Sequence, residues 1–188
     1  MRRPVPLLAL LVALLVGACG GDDDAGRGPD GRIVEAGAIN VFDLEVGDCL
    51  NPDPGTSGEI TSIEAVPCEE PHTQEVFALP EYVGADGRPT DVYPGEGELR
   101  RFADAACLDA FSRYTGTDYL DSDLYFSYLH PSIDSWNSGD DRTVVCVVVS
   151  PGEETTGSVR AGGSTTTTDA EGRSTTTSTS TTSTTASS

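Results

Sequence analysis

The stretch LRRFADAACLDAFSRY, residues 99–114, decides the fold that the sequence predicts. Its apolar side chains return every three or four residues, which is the spacing of one face of an α-helix. They are Leu99, Phe102, Ala103, Ala106, Cys107, Ala110, Phe111 and Tyr114. Gly116 lies just beyond and is typical of the residue that ends a helix. The sequence therefore predicts one main helix whose apolar face must be buried.

A second stretch, TVVCVVV at residues 143–149, predicts the strand on which this helix packs. A short, continuous β-branched run is typical of a central strand that is covered on both faces. Weaker strand signals lie at residues 41–46, 59–66, 74–79 and 124–130, each bounded by Gly, Pro or Asp. We therefore expect an α+β fold, with a small, mostly antiparallel sheet and one main helix packed on it.

Four cysteines of the predicted domain, Cys49, Cys68, Cys107 and Cys146, indicate two disulfides. Four cysteines allow three pairings. Cys107 lies on the apolar face of the helix and Cys146 in the buried strand, so a bridge between them would join helix to sheet. Cys49 then pairs with Cys68. A four-cysteine zinc site is the alternative, but no pair has the short spacing of a zinc knuckle, so we expect no metal.

The first residues have the pattern of an export signal. Arg2 and Arg3 precede an apolar run from Val5 to Val16. A membrane-spanning helix needs about 20 apolar residues, whereas the core of a signal peptide needs only about 7 to 15. The length therefore favours export, and disulfides form in the compartment to which exported chains go.

The run ends in VGAC, residues 16–19, which resembles the cleavage site of a bacterial lipoprotein signal. That resemblance implies cleavage after Ala18 and a diacylglyceryl group on Cys19, with palmitate among its acyl chains. Two or more chains give durable membrane anchoring. The alternative is an ordinary secretory signal in which Cys19 has no role.

Composition divides the chain into four predicted segments. They are a lipoprotein signal peptide at 1–18, a flexible acidic linker at 19–40, a folded domain at 41–149 and a disordered Ser/Thr-rich tail at 150–188. The formal net charge is -20, with 31 acidic residues against 11 basic ones. Nucleic-acid binding needs a basic patch, so the charge argues against it.

Four stretches of the domain carry a resemblance to a known family. They are VFDLEVGDCL at 41–50, VPCEEPHTQEV at 66–76, YPG at 93–95 and SWNSGDDRTVVC at 135–146. In this order they resemble the septum-formation family of bacterial envelope proteins, over about residues 41–149. The resemblance implies an extracytoplasmic, membrane-anchored domain with a part in forming the division septum, and it carries over no catalytic residues.

His72 and Glu75 are the first candidate binding residues. Imidazole and carboxylate groups bind metals or share protons, and Glu69 and Glu70 are close in sequence. One His with flanking acids is a poor zinc set. If residues 72–79 are extended, His72 and Glu75 point to opposite faces. We therefore favour a structural role for His72, which caps the turn fixed by Pro71.

Trp136 and Arg142 are the second candidate pair. Residues 132–138 predict a short helix that buries Ile133 and Trp136 and ends at Gly139. Trp and Arg are enriched at binding hot spots, so the pair is a candidate surface. The favoured alternative is that Trp136 packs into the domain and Arg142 pairs with a neighbouring acid.

These observations predict a non-catalytic module on the outer face of the cell membrane, with no cofactor. We expect it to bind an unidentified envelope or division protein and to contact the membrane through Cys19. One alternative is an enzyme of the cell wall that uses carboxylates or His72. The other is an ectodomain that senses a ligand or pH through His72. The sequence contains no catalytic motif that would favour the enzyme.

Overall fold

The predicted main helix is present in the computed structural model, which describes residues 24–55, 58–150 and 154–178. It spans Glu96–Thr115 and buries the side chains of the predicted face, among them Leu99, Ala103, Cys107 and Phe111. Gly116 ends it, because its left-handed φ of 76° lets its N–H donate to the carbonyl of Ser112 at 2.9 Å.

The strands are named here in chain order. They are β1 (Gly26–Arg27), β2 (Ile33–Glu35), β3 (Gly37–Asn40), β4 (Cys49–Asn51), β5 (Ser62–Val66), β6 (Gln74–Ala78), β7 (Tyr125–Leu129), β8 (Val145–Val149), β9 (Glu154–Gly157), β10 (Ser164–Thr168) and β11 (Ser174–Ser178). The helices are α1 (Glu96–Thr115) and α2 (Ile133–Ser138). Two short 3-10 helices lie at Val41–Asp43 and Tyr119–Asp121.

Six strands form the main sheet in the spatial order β3-β5-β4-β6-β8-β7, and every pair in it is antiparallel. β1 pairs with β2, and β9, β10 and β11 form a separate antiparallel sheet. The α+β class, the mostly antiparallel sheet and the single main helix are thereby confirmed.

The sheet is covered on both faces, as the apolar run of β8 predicted. Side chains alternate along a strand, so Cys146 and Val148 face α1 while Val145 and Val147 face the other way. The face opposite α1 is covered by residues from the N-terminal part of the chain, including Ile33 and Leu44, which pack in one cluster with Ile39 of β3.

Both predicted disulfides are present. Cys107 and Cys146 join α1 to β8, and Cys49 and Cys68 join the start of β4 to the turn after β5. Cys49, Cys107 and Cys146 have no exposed surface.

Two local predictions are corrected. Residues 41–46 are not a strand, because Asn40 accepts a hydrogen bond from the Phe42 N–H at 3.0 Å and starts a 3-10 turn there. The short helix α2 is present and buries Trp136, but Ile133 is 54% exposed rather than buried. Ile133 is the first residue of α2 and lines an open groove instead of joining the buried cluster of Trp136.

The prediction of a flexible linker at 19–40 is wrong for the described residues 24–40. They form β1, β2 and β3, and β3 is the edge strand of the main sheet. Arg27 holds this segment to the domain by two hydrogen bonds to the Asp48 carboxylate, at 2.8 and 2.6 Å. Asp48 is only 3% exposed, and its hydrogen bond to Arg27 raises the pKa of the guanidinium.

We expect the substitution Arg27→Ala to lower the free energy of unfolding by about 2 kcal/mol, because it leaves the buried Asp48 carboxylate without its cation. Urea denaturation measures the change. Arg32→Ala is the matched control, since Arg32 pairs with Glu69 on the exposed surface and should change stability by less than about 0.5 kcal/mol. Equal effects of the two substitutions would contradict the role given to Arg27.

The predicted disorder of 150–188 is likewise wrong for residues 154–178. Although this segment has few apolar residues, Thr155 and Val159 are buried against the domain. β9 is held by a reciprocal backbone bridge between Thr155 and His72, at 2.9 and 2.8 Å. Backbone and carboxylate hydrogen bonds thus take the place of apolar burial in ordering this part of the chain.

The leader and the proposed lipidation site, Cys19, lie outside the described residues. Within those residues, no helix has the length and apolar character that crossing a membrane requires.

Candidate functional site

A buried polar centre lies where β6, the end of α1 and the C-terminal segment meet. It consists of His72, Glu75, Tyr114 and Ser158. Glu75 is the second residue of β6, and its side chain points to the α1 side of the sheet, where it is 2% exposed. A carboxylate at this depth is stable only if its oxygens accept hydrogen bonds.

Glu75 accepts three such bonds. The hydroxyl groups of Tyr114 and Ser158 donate to Oε1, each at 2.5 Å, and the Val159 N–H donates to Oε2 at 2.8 Å. Two of the three donors therefore come from the C-terminal segment that follows β9. Glu75 acts as the point at which that segment is fastened to the sheet.

His72 is buried beside this carboxylate, with 1% of its surface exposed. Its Nδ1 lies 2.9 Å from the carbonyl oxygen of Glu70, which can only accept, so Nδ1 carries the proton in the neutral ring. Nε2 has no hydrogen-bond partner among the described residues. The hydrogen bond to Glu70 across Pro71 is the turn-capping contact that the sequence favoured for His72.

His72 and Glu75 do not point apart. β6 begins at Gln74, so His72 precedes the strand and the alternation of side chains does not apply to it. Ligand atoms of Cys49, His72 and Glu75 lie within 4.8 Å of one another. However, Cys49 is bound to Cys68 and the Glu75 carboxylate already accepts three hydrogen bonds, so of these three residues His72 alone offers a ligand atom without a partner, Nε2.

Burial, followed by the negative charge of Glu75, raises the pKa of Tyr114 above its ordinary value. We therefore expect stability to be insensitive to Tyr114 below about pH 10 and to fall at higher pH, because the unfolded chain then loses a proton that the folded chain keeps. Denaturation at increasing alkaline pH measures this loss, and Tyr114→Phe should make it shallower.

Ser158→Ala is the control for that substitution, because it removes another hydrogen bond to Glu75 without removing an ionisable group. It should lower stability at neutral pH and leave the alkaline slope unchanged. The same slope in Tyr114→Phe as in the unchanged protein would contradict the assignment.

Trp136 and Arg142 lie together in a second cluster, apart from the polar centre. Trp136 is 2% exposed and packs edge-on against Tyr82 and Tyr93. The Arg142 guanidinium lies 3.7 Å above the indole ring and also pairs with Asp140 at 3.0 Å. Trp136 is thus packed into the domain and Arg142 is paired with a neighbouring acid, which is the alternative that the sequence favoured.

An open groove with a volume of about 1100 Å³ lies over one end of the main sheet. Its apolar lining includes Leu79, Leu129 and Val145 and the half-exposed side chains of Phe42 and Ile133. Its acidic residues are Glu59, Glu81, Glu96, Asp134 and Asp141. No arginine lines it among the described residues, and the chain contains no lysine.

The sequence did not reveal three features of these sites. Tyr114 was expected only as part of an apolar helix face, and Ser158 lay in a segment that was expected to be disordered. Ile133 was expected in the core. The contacts of Ser158 with Glu75 join residues that are 83 positions apart, which no local pattern encodes.

The fold and the polar centre define a small α+β domain that is held together by two disulfides and a buried carboxylate. A model of the septum formation family matches residues 46–186, which is most of the chain, so this protein belongs to that family. The match extends beyond the resemblance over about 41–149 and includes β9, β10 and β11. No curated protein and no solved structure matches the chain.

Proposed function

We propose that this protein is a non-catalytic binding module that acts in septum formation during cell division and is held at the outer face of the cell membrane by a lipid on Cys19. The observation that carries the proposal is the match to the septum formation family over residues 46–186. The leader supports export, and the two disulfides suit an oxidising compartment.

The geometry of the polar centre supports a role in binding rather than catalysis. A general acid or base must come within hydrogen-bond reach of its substrate. His72 and Glu75 are 1% and 2% exposed, and three donors of the chain itself already occupy the Glu75 carboxylate. The open surface of the domain is instead the apolar groove with its acidic rim, which has the composition of a protein-binding surface.

The septal role is tested by imaging the full chain with a fluorescent tag after Ser188 in dividing cells. We expect the fluorescence to concentrate at the division site. An even distribution around the cell would contradict the septal role.

The anchor is tested with Cys19→Ser in the same tagged chain. Without the thiol that accepts the lipid, the protein should leave the membrane fraction. Val92→Ser is the control, since it introduces a serine at an exposed position of the folded domain and leaves the lipidation site intact. Retention of Cys19→Ser in the membrane would contradict anchoring through Cys19.

A further inference from the structure

We infer that the groove binds an extended segment of another envelope protein that carries both basic and large apolar side chains. This inference deepens the proposed binding function and rests on it. It follows from the walls, the charge and the size of the groove.

The walls of the groove expose apolar surface that the fold does not use. Phe42 is 56% exposed and Ile133 is 54% exposed, and they face the groove from two different elements. Leu79, Leu129 and Val145 also line it. An apolar centre surrounded by polar residues is the arrangement of a protein interface, in which an occupant's apolar side chains would cover this surface.

The charge of the groove selects the polar part of the occupant. Glu59 and Asp141 already accept hydrogen bonds from Ser132 and Ser135. The carboxylates of Glu81 and Asp134, by contrast, have no hydrogen-bond or ion-pair partner among the described residues, and both are exposed at the groove. Arginine or lysine side chains would pair with them, and the overall charge of -20 would speed the approach of such a segment.

The occupant belongs to another protein, because a second copy of this chain carries the same net charge of -20 and would be repelled. Outside the described residues, the only basic side chains of this chain are Arg2 and Arg3, and both lie in the leader. The volume of about 1100 Å³ exceeds the usual range for a small-molecule pocket, which ends at about 1000 Å³. An open site of that size therefore suits a peptide segment better than a small cationic molecule.

The test uses the full chain, purified from cells, and three labelled synthetic peptides of equal length. One alternates Arg and Leu, one alternates Arg and Ser, and one alternates Glu and Leu. Fluorescence anisotropy should show the Arg–Leu peptide binding at least about tenfold more tightly than either of the others, since burial of one large apolar side chain is worth about that factor. Equal binding of the Arg–Leu and Arg–Ser peptides would overturn the inference.

Variants then assign the binding to the groove. Phe42→Ser with Ile133→Ser should weaken binding of the Arg–Leu peptide at least about tenfold. The control, Val92→Ser with Leu120→Ser, removes apolar side chains that are 75% and 93% exposed elsewhere and should leave binding unchanged. Equal loss in both pairs, or no loss in the groove pair, would overturn the inference.

The acidic part is tested by Glu81→Gln with Asp134→Asn, which should weaken binding and reduce its dependence on salt. Asp121→Asn with Asp123→Asn removes the same charge from two exposed positions, at the end of the second 3-10 helix and just after it, that do not line the groove, and should have a smaller effect. Equal effects of the two pairs would show attraction to the overall charge alone and would overturn the inference.

Thermal unfolding identifies any variant that fails to fold, and Ile133→Arg then repeats the test at a single exposed position. Ile133→Arg should also abolish binding of the Arg–Leu peptide, and unchanged binding would count against the groove. Septal fluorescence without peptide binding would refute only the binding of a peptide in the groove, whereas peptide binding without septal fluorescence would refute only the septal role.

Discussion

Removal of the Cys107–Cys146 disulfide is expected to lower the free energy of unfolding by about 4 kcal/mol. The bridge closes a loop of 39 residues, and the chain entropy that it removes from the unfolded state grows with the length of that loop. It also joins α1 to β8, so its loss loosens the contact on which the core depends. Replacement of both cysteines by Ala, followed by urea denaturation without reductant, measures the change.

The Cys49–Cys68 bridge provides the comparison. It closes a loop of only 19 residues, so the corresponding double replacement by Ala should cost about 3 kcal/mol. Both losses are large beside the 5 to 15 kcal/mol that is typical of a whole domain. Denaturation midpoints that are the same in both variants and in the unchanged protein would contradict the stabilising role of the bridges.

The substitution Glu75→Leu is expected to cost about 3 kcal/mol or more and to release the C-terminal segment. It removes the acceptor of the Tyr114 and Ser158 hydroxyl groups and of the Val159 N–H, and buried donors without an acceptor are costly. Hydrogen exchange should become faster in residues 154–168, while β8 should stay protected because its backbone hydrogen bonds to β6 and β7 do not involve the Glu75 side chain.

Two further variants serve as controls for Glu75→Leu. Glu75→Gln keeps one acceptor oxygen, so its cost should lie between those of the unchanged protein and Glu75→Leu. Glu70→Leu removes the same charge from an exposed position five residues earlier and should change stability by less than about 0.5 kcal/mol. Unchanged exchange of residues 154–168 in Glu75→Leu would contradict the proposed fastening of the segment.

Where local pattern and burial coincide, the sequence predicts this fold well. The apolar face of residues 99–114, the β-branched run of β8 and both disulfide pairs are present as expected. In each case the side chains that carry the pattern are the ones that the core buries, so periodicity and packing give the same answer.

The ends of the domain were not predictable in this way. Ile33 and Ile39 lie in strands of only three and four residues, and β10 and β11 consist of Ser and Thr, so neither region has an apolar period long enough to predict a strand. Threonine favours strands, but a Thr-rich run has the composition of a disordered tail as well. What orders these segments is their contacts with distant residues, chiefly Asp48 and Glu75.

The polar centre shows the same limit for a candidate site. His72 and Glu75 were identifiable as candidates from residue type and spacing. Whether their side chains point to the same side depended on whether residues 72–79 form one strand. They do not, because β6 begins only at Gln74. The partners Tyr114 and Ser158 come from segments 39 and 83 positions away and could be recognised only in the folded chain.

The order of residues 24–40 has a consequence for where the module can work. If Cys19 holds the lipid, the chain from Cys19 to Asp24 can reach at most roughly 17 Å. The hydrogen bonds from Arg27 to Asp48 hold β1 on the domain, so β1 does not lengthen this connection. On that condition the domain stays next to the lipid headgroups, and a partner must reach it there.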